Sequence, residues 1–231
     1  MKKLLYTIIF FYCFFPLQAD DNEFESWFGY FLPIHLNEKF GVWNDFHYVP
    51  NTFFVSRHGI IYKPTKNITL AGGYAWVETA TSFSDNIIRD EHRLWGQIET
   101  RYNITEKISY RFRFRSDQRF RQRIANSELQ NDFILINRFR FANSFRYQLH
   151  RFDDENNLHL NLMHELLVNT GKTIEGIQLD QNRVFLHLGY SYKNFTLLSG
   201  YHLRLIPSLN EGIRQQHGFT FWLIHSLDFS K

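Results

Sequence analysis

Apolar and polar residues alternate with a period of two along most of the chain. In HRLWGQIETRY, Arg93, Trp95, Gln97, Glu99 and Arg101 share one face, and Leu94, Ile98 and Tyr102 share the other. In YRFRFRSDQRFRQR, arginine holds Arg111, Arg113, Arg115, Arg119 and Arg121, with Asp117 among them, against Tyr110, Phe112, Phe114 and Phe120. FILINRFRFANSFRYQL sets Phe133, Leu135, Phe139, Phe141, Phe145 and Tyr147 against Arg138, Arg140 and Arg146. LHLNLMHELLV sets Leu158, Leu160 and Leu162 against His159, Asn161 and Glu165, and NRVFLHLGYSY sets Val184, Leu186 and Leu188 against Arg183 and His187. Successive side chains of a strand point to opposite sides, so each segment predicts a strand with one apolar and one polar face.

Eleven segments carry the pattern: 24–32, 40–50, 53–62, 68–79, 91–103, 107–121, 131–149, 157–169, 181–193, 195–206 and 214–229. Short polar turns separate some of them, near 63–67, 103–106, 153–157 and 193–194. Longer loops are expected near 80–90, 123–130, 170–180 and 207–212. Short turns at one end and long loops at the other describe an all-β, antiparallel up-and-down transmembrane β-barrel. Single-chain bacterial barrels normally have even strand numbers. The expectation is therefore ten strands, with 24–32 outside the wall, or twelve, with one break hidden in the pattern.

The arginines decide which face is which. A lipid-facing arginine at the bilayer midplane costs about 2–4 kcal/mol, so the ladder from Arg111 to Arg121 must point into the lumen and the phenylalanines outward. A soluble periplasmic β-barrel binding protein is the alternative, but it would put phenylalanine in its core and an arginine carpet on its surface. Unpaired charges in a closed interior are costly, so carboxylates should sit beside the arginines. Directly opposed like charges destabilise a sheet. The favoured register therefore places Glu99 opposite Arg111, Arg93 opposite Asp117 and Glu91 opposite Arg119. Neighbouring registers oppose Arg93 to Arg119, or Glu91 to Asp117. Arg113, Arg115, Arg138, Arg140 and Arg183 still need partners, and Glu165 is one candidate across the interior. This cluster either braces the barrel or binds an anionic solute or lipid headgroup, because the guanidinium fork matches carboxylate and phosphate.

Export follows from the start of the chain. MKKLLYTIIFFYCFFPLQAD has a basic start, a short apolar run and a cleavage site expected after Ala19, the layout of a secretory signal peptide. The expected division is 1–19 signal peptide and 20–231 a single barrel domain in the outer membrane of a Gram-negative cell. Cys13 lies in the leader, so the mature chain has no thiol chemistry. Losing Lys2 and Lys3 leaves 24 of the 26 basic residues against 23 acidic ones, which argues against a nucleic-acid partner. The expected partners are outer-membrane lipid and lipopolysaccharide, the assembly machinery that recognises an aromatic last strand, and an anionic small molecule.

An outer-membrane lipid-modifying enzyme is the remaining alternative, and the sequence offers it little. His225 and Ser226 are adjacent and face opposite sides, as do His164 and Glu165, so neither forms a base pair with its neighbour. His159 and Glu165 share a face but lie about 20 Å apart along a strand, too far to share a metal. No cofactor is expected, and the glycine pairs lie inside strands and not before helices.

EHRLW from Glu91, RFRFRSDQR from Arg111, RFRF from Arg138, His164-Glu165, DQNR from Asp180 and LGY from Leu188 occur in an order that resembles the outer-membrane barrel family catalogued as domain of unknown function 2490. The resemblance covers most of the mature chain. It implies a bacterial envelope protein with no established activity and supplies no catalytic residues.

Overall fold

The computed structural model describes residues 22–81, 84–172, 174–208 and 212–230. The expected leader, with Cys13 and the cleavage site after Ala19, lies outside the described residues. Every regular element among them is a strand: β1 Asn22–Phe31, β2 Ile34–His35, β3 Phe40–Val49, β4 Phe53–Thr65, β5 Ile68–Thr81, β6 Ser84–Asn103, β7 Ile108–Ala125, β8 Glu128–Arg151, β9 Asn156–Gly171, β10 Ile174–Tyr192, β11 Phe195–Ser208, β12 Gly212–His225 and β13 Leu227–Asp228.

From β3 to β12 each strand pairs antiparallel with the next, and β1 closes the ring by pairing with both β12 and β3. The wall therefore has eleven strands, not ten or twelve, and Asn22–Phe31 belongs to it. An up-and-down meander of odd number returns to its start in the same direction, so β1 and β12 run parallel, from Asn22 beside Gln215 to Phe31 beside Ile224. β2 and β13 continue β1 and β12 in unchanged register, with Leu227 beside Ile34. Pro33, which has no N–H to donate, interrupts β1. Along β1, only Phe28–Phe31 pair with β3, so among the described residues Asn22–Trp27 pair on one side only.

The two ends of the barrel are built differently. At one end Asn37, Thr65, Thr105 and Asp153 each accept the backbone N–H groups two and three residues on, a side-chain mimic of a turn repeated at four connections. At the other end, the loops expected near 80–90, 123–130 and 170–180 are largely strand. β8 runs for 24 residues and β3 for only 10, so the wall is tall over β6–β10 and low at the β3–β4 turn. Asn126 and Ser127, both at positive φ (54° and 58°), close the β7–β8 hairpin with the two-residue geometry that suits strand twist.

Outside is apolar and inside is charged. Ile60, Leu94, Phe120, Phe141, Leu186, Tyr201 and Phe221 are exposed on the outer surface, while Asp45, Arg57, Glu91, Arg115, Asp117 and Glu165 are buried within the ring. Polar groups on the outer face are matched with one another: Tyr74 with His92 at 2.5 Å, His58 with Asn44 at 2.8 Å, Tyr110 with Asn143 at 2.6 Å and His164 with Asn182 at 2.7 Å.

Candidate functional site

The arginine-rich sector of the lumen is built from the inward positions of β6 to β10. The β6–β7 register differs from the expected one by one inward pair. Arg93 stands opposite Arg119, Arg101 opposite Arg111, Glu91 opposite Arg121 and Glu99 opposite Arg113. Like charges do face each other directly, because a carboxylate reaches them diagonally. Glu91 Oε1 accepts from Arg93 Nε and Arg119 Nε, both at 2.5 Å, Oε2 accepts from Arg119 Nη2 at 2.9 Å, and Arg121 Nε lies 3.1 Å away. Glu99 sits 3.4 Å from Arg101 and 3.8 Å from Arg111. The expected contacts of Glu91 with Arg119 and Glu99 with Arg111 are thus made across a diagonal, whereas Arg93 turns to Glu91 and not to Asp117.

Glu165 gathers three of the arginines that lacked partners. It accepts from Arg113 Nη2 at 2.8 Å, from Arg140 Nη2 at 2.8 Å and from Arg183 Nη1 at 3.2 Å. Arg138 goes elsewhere, to Asp180 at 2.8 Å and Asn169 at 3.2 Å. Arg115 donates to Gln97 at 2.9 and 2.5 Å and lies over the Trp95 ring at 5.1 Å. Asp117, fully buried, has Arg140 Nη1 3.9 Å away, and neither of its oxygens has a hydrogen-bond partner among the described residues.

Several lumen groups escape a reading by local charge pattern. Asp45 accepts twice from Arg57 Nη1, at 2.9 and 2.8 Å, and once from Trp43 Nε1 at 2.5 Å. Glu25 accepts from Arg204 at 2.6 Å and contacts His202 at 3.3 Å. Asp45 is the single acidic or basic charge of β3, Glu25 shares β1 only with Glu23, and inward parity alone marks them. Asp180 belongs to β10, in a stretch expected as loop. His159 contacts Arg146 at 3.1 Å, and His225 pairs with Tyr30 at 3.2 Å, so neither histidine is engaged with Glu165 or Ser226.

These side chains surround a cavity of about 1380 Å³ lined from the tall rim, at Glu23 and Arg214, to the short-turn rim, at Lys39 and Lys63. Among the described residues seven arginines are buried, against four carboxylates, so the interior is positive even where every acid is shared.

The family model described as "Protein of unknown function (DUF2490)" matches residues 24–211, most of the chain. The protein belongs to this family. The match begins within the first wall strand of the DUF2490 barrel and ends just ahead of β12, and it includes every arginine and carboxylate of the β6–β10 sector. No curated protein matches the chain. The arginine constellation of the DUF2490 barrel is therefore interpreted from its own chemistry.

Proposed function

We propose that this chain is an outer-membrane β-barrel whose arginine-walled lumen binds an anionic ligand. The observation that carries the reading is the sharing of carboxylates: Glu91 and Glu165 each serve three arginines, so the wall holds more positive charge than it neutralises. Guanidinium groups take carboxylate and phosphate oxygens in pairs, and a positive, low-dielectric cavity concentrates anions. A membrane setting is supported by the apolar exterior and by the mutual pairing of the polar groups found on it. An expected signal peptide at 1–19 fits the same setting, as do membrane lipid, lipopolysaccharide and the assembly machinery as partners. Bracing is the competing role, favoured by the full coordination of Glu165.

The test titrates the purified barrel with inorganic phosphate by calorimetry. Saturable binding should weaken tenfold or more when Arg113→Gln and Arg140→Gln are combined. Absent binding in the wild-type protein, or binding unchanged in the double variant, would leave only the brace. The membrane setting is tested by fractionation: recovery of the mature chain in the soluble periplasm, with no band shift on heating before electrophoresis, overturns it.

A further inference from the structure

Beside the arginine sector, and sharing β9 and β10 with it, the lumen changes character. Trp27, Val49, Met163, Phe185, Leu198 and Trp222 form one buried apolar cluster inside the ring, with Phe31, Phe53 and Ile224 packed against it and partly open. Trp27, Phe185, Leu198 and Trp222 line the cavity directly. In a barrel whose exterior is its greasy face, such a strip is not needed to separate inside from outside. It does not act as an ordinary core either, because it borders the same cavity as the charged wall.

The two sectors meet at Trp27. Arg183 and Arg204 lie over its ring, with guanidinium carbons 5.2 and 4.9 Å from the ring centre. Its indole N–H is buried without a partner among the described residues, as are Trp222 Nε1 and Arg204 Nε. Just below Arg183 on β10 comes Phe185, and below Arg204 on β11 come His202, Gly200 and then Leu198, six residues or about 20 Å along the strand. Charge at one end and the apolar side chains of Trp27, Phe185, Leu198 and Trp222 below it make an amphipathic site within one cavity.

We propose that the lumen takes a single-chain carboxylate amphiphile, with its head at Arg183, Arg204 and the free indole N–H of Trp27, and its acyl chain along Phe185, Leu198 and Trp222. The proposal rests on the anion-binding reading above and adds the acyl chain to it. Two cations already engaged on one side by Glu165 and Glu25 suit a singly charged head. The unpaired edge of β1 from Asn22 to Trp27 borders the cavity at Glu23 and Trp27 and gives such a molecule a side entrance.

The experiment measures binding of acetate, octanoate and laurate to the wild-type barrel in nanodiscs of zwitterionic lipid, with dodecanol as the uncharged control and inorganic phosphate alongside. Affinity should rise with chain length, by up to about fourfold per buried CH₂, and dodecanol should not saturate. Arg204→Gln should weaken laurate tenfold or more. Leu198→Gln should weaken laurate similarly and leave phosphate binding unchanged. A flat chain-length series with phosphate still bound would overturn the acyl site and leave the anion site standing. Failure of laurate and phosphate alike would overturn both, and saturable dodecanol binding equal to laurate would remove the charged head from the account. The chain-length series uses only the wild-type protein, so it stands even where a variant fails to fold.

Discussion

Glu165 is fully buried and holds Arg113, Arg140 and Arg183 together, so its removal leaves three guanidinium groups without their common acceptor. Breaking a buried ion pair by deleting one partner costs about 3–5 kcal/mol, because the other charge stays buried. Glu165→Ala should therefore lower the urea midpoint of the purified barrel markedly, and Arg113→Gln should lower it much less, since Glu165 keeps two partners. Equal midpoints for Glu165→Ala and wild type would mean that the arginines do not depend on this carboxylate. Most residues that enter the lumen were legible in the sequence, because parity separates the two faces and the arginines mark the inner one; Asp180 escaped, since a register shift between Leu179 and Gln181 reverses the parity there. Their pairing was not legible. A rule of direct opposition rejects Arg93 against Arg119, yet side chains as long as glutamate and arginine satisfy one another two residues along, as Glu91 does.

The strand with the least redundant support is β1, held along most of its length by its parallel seam with β12. At Gly218 on that seam a Cβ would land on the Glu25 carbonyl oxygen, so the two backbones approach as only glycine allows. Gly218→Val should abolish the heat-shifted compact band, whereas Gly96→Ala, where a Cβ meets nothing within 4 Å, should keep it. A compact band retained by Gly218→Val would show that the seam is dispensable. Elements were legible wherever an apolar face ran unbroken. The tops of β6 to β10 were not, because strands rising beyond the apolar band need no greasy face and lose their period. Gln122 bonds to the Gln130 carbonyl and Arg123 to Asp132 there, polar contacts that read locally as a loop.

At the scale of the whole molecule, the inside-out arrangement follows from a few arginines, but the closure of the ring does not. Closure depends on the parity of the strand count, and no local pattern encodes that parity. An odd number of crossings also separates the two points where the chain joins and leaves the wall. The segment before β1 departs from the tall rim, and the segment after β12 from the short-turn rim. Barrels of this kind turn their short connections to the periplasm. In the outer-membrane setting proposed above, the mature residues ahead of Asn22 would have to cross the bilayer during assembly, while the other end stays behind. An epitope placed between the expected cleavage site after Ala19 and Asn22 should be reached by antibody on intact cells, and one placed after Asp228 only once the outer membrane is permeabilised. Labelling of the second epitope alone on intact cells would invert the orientation.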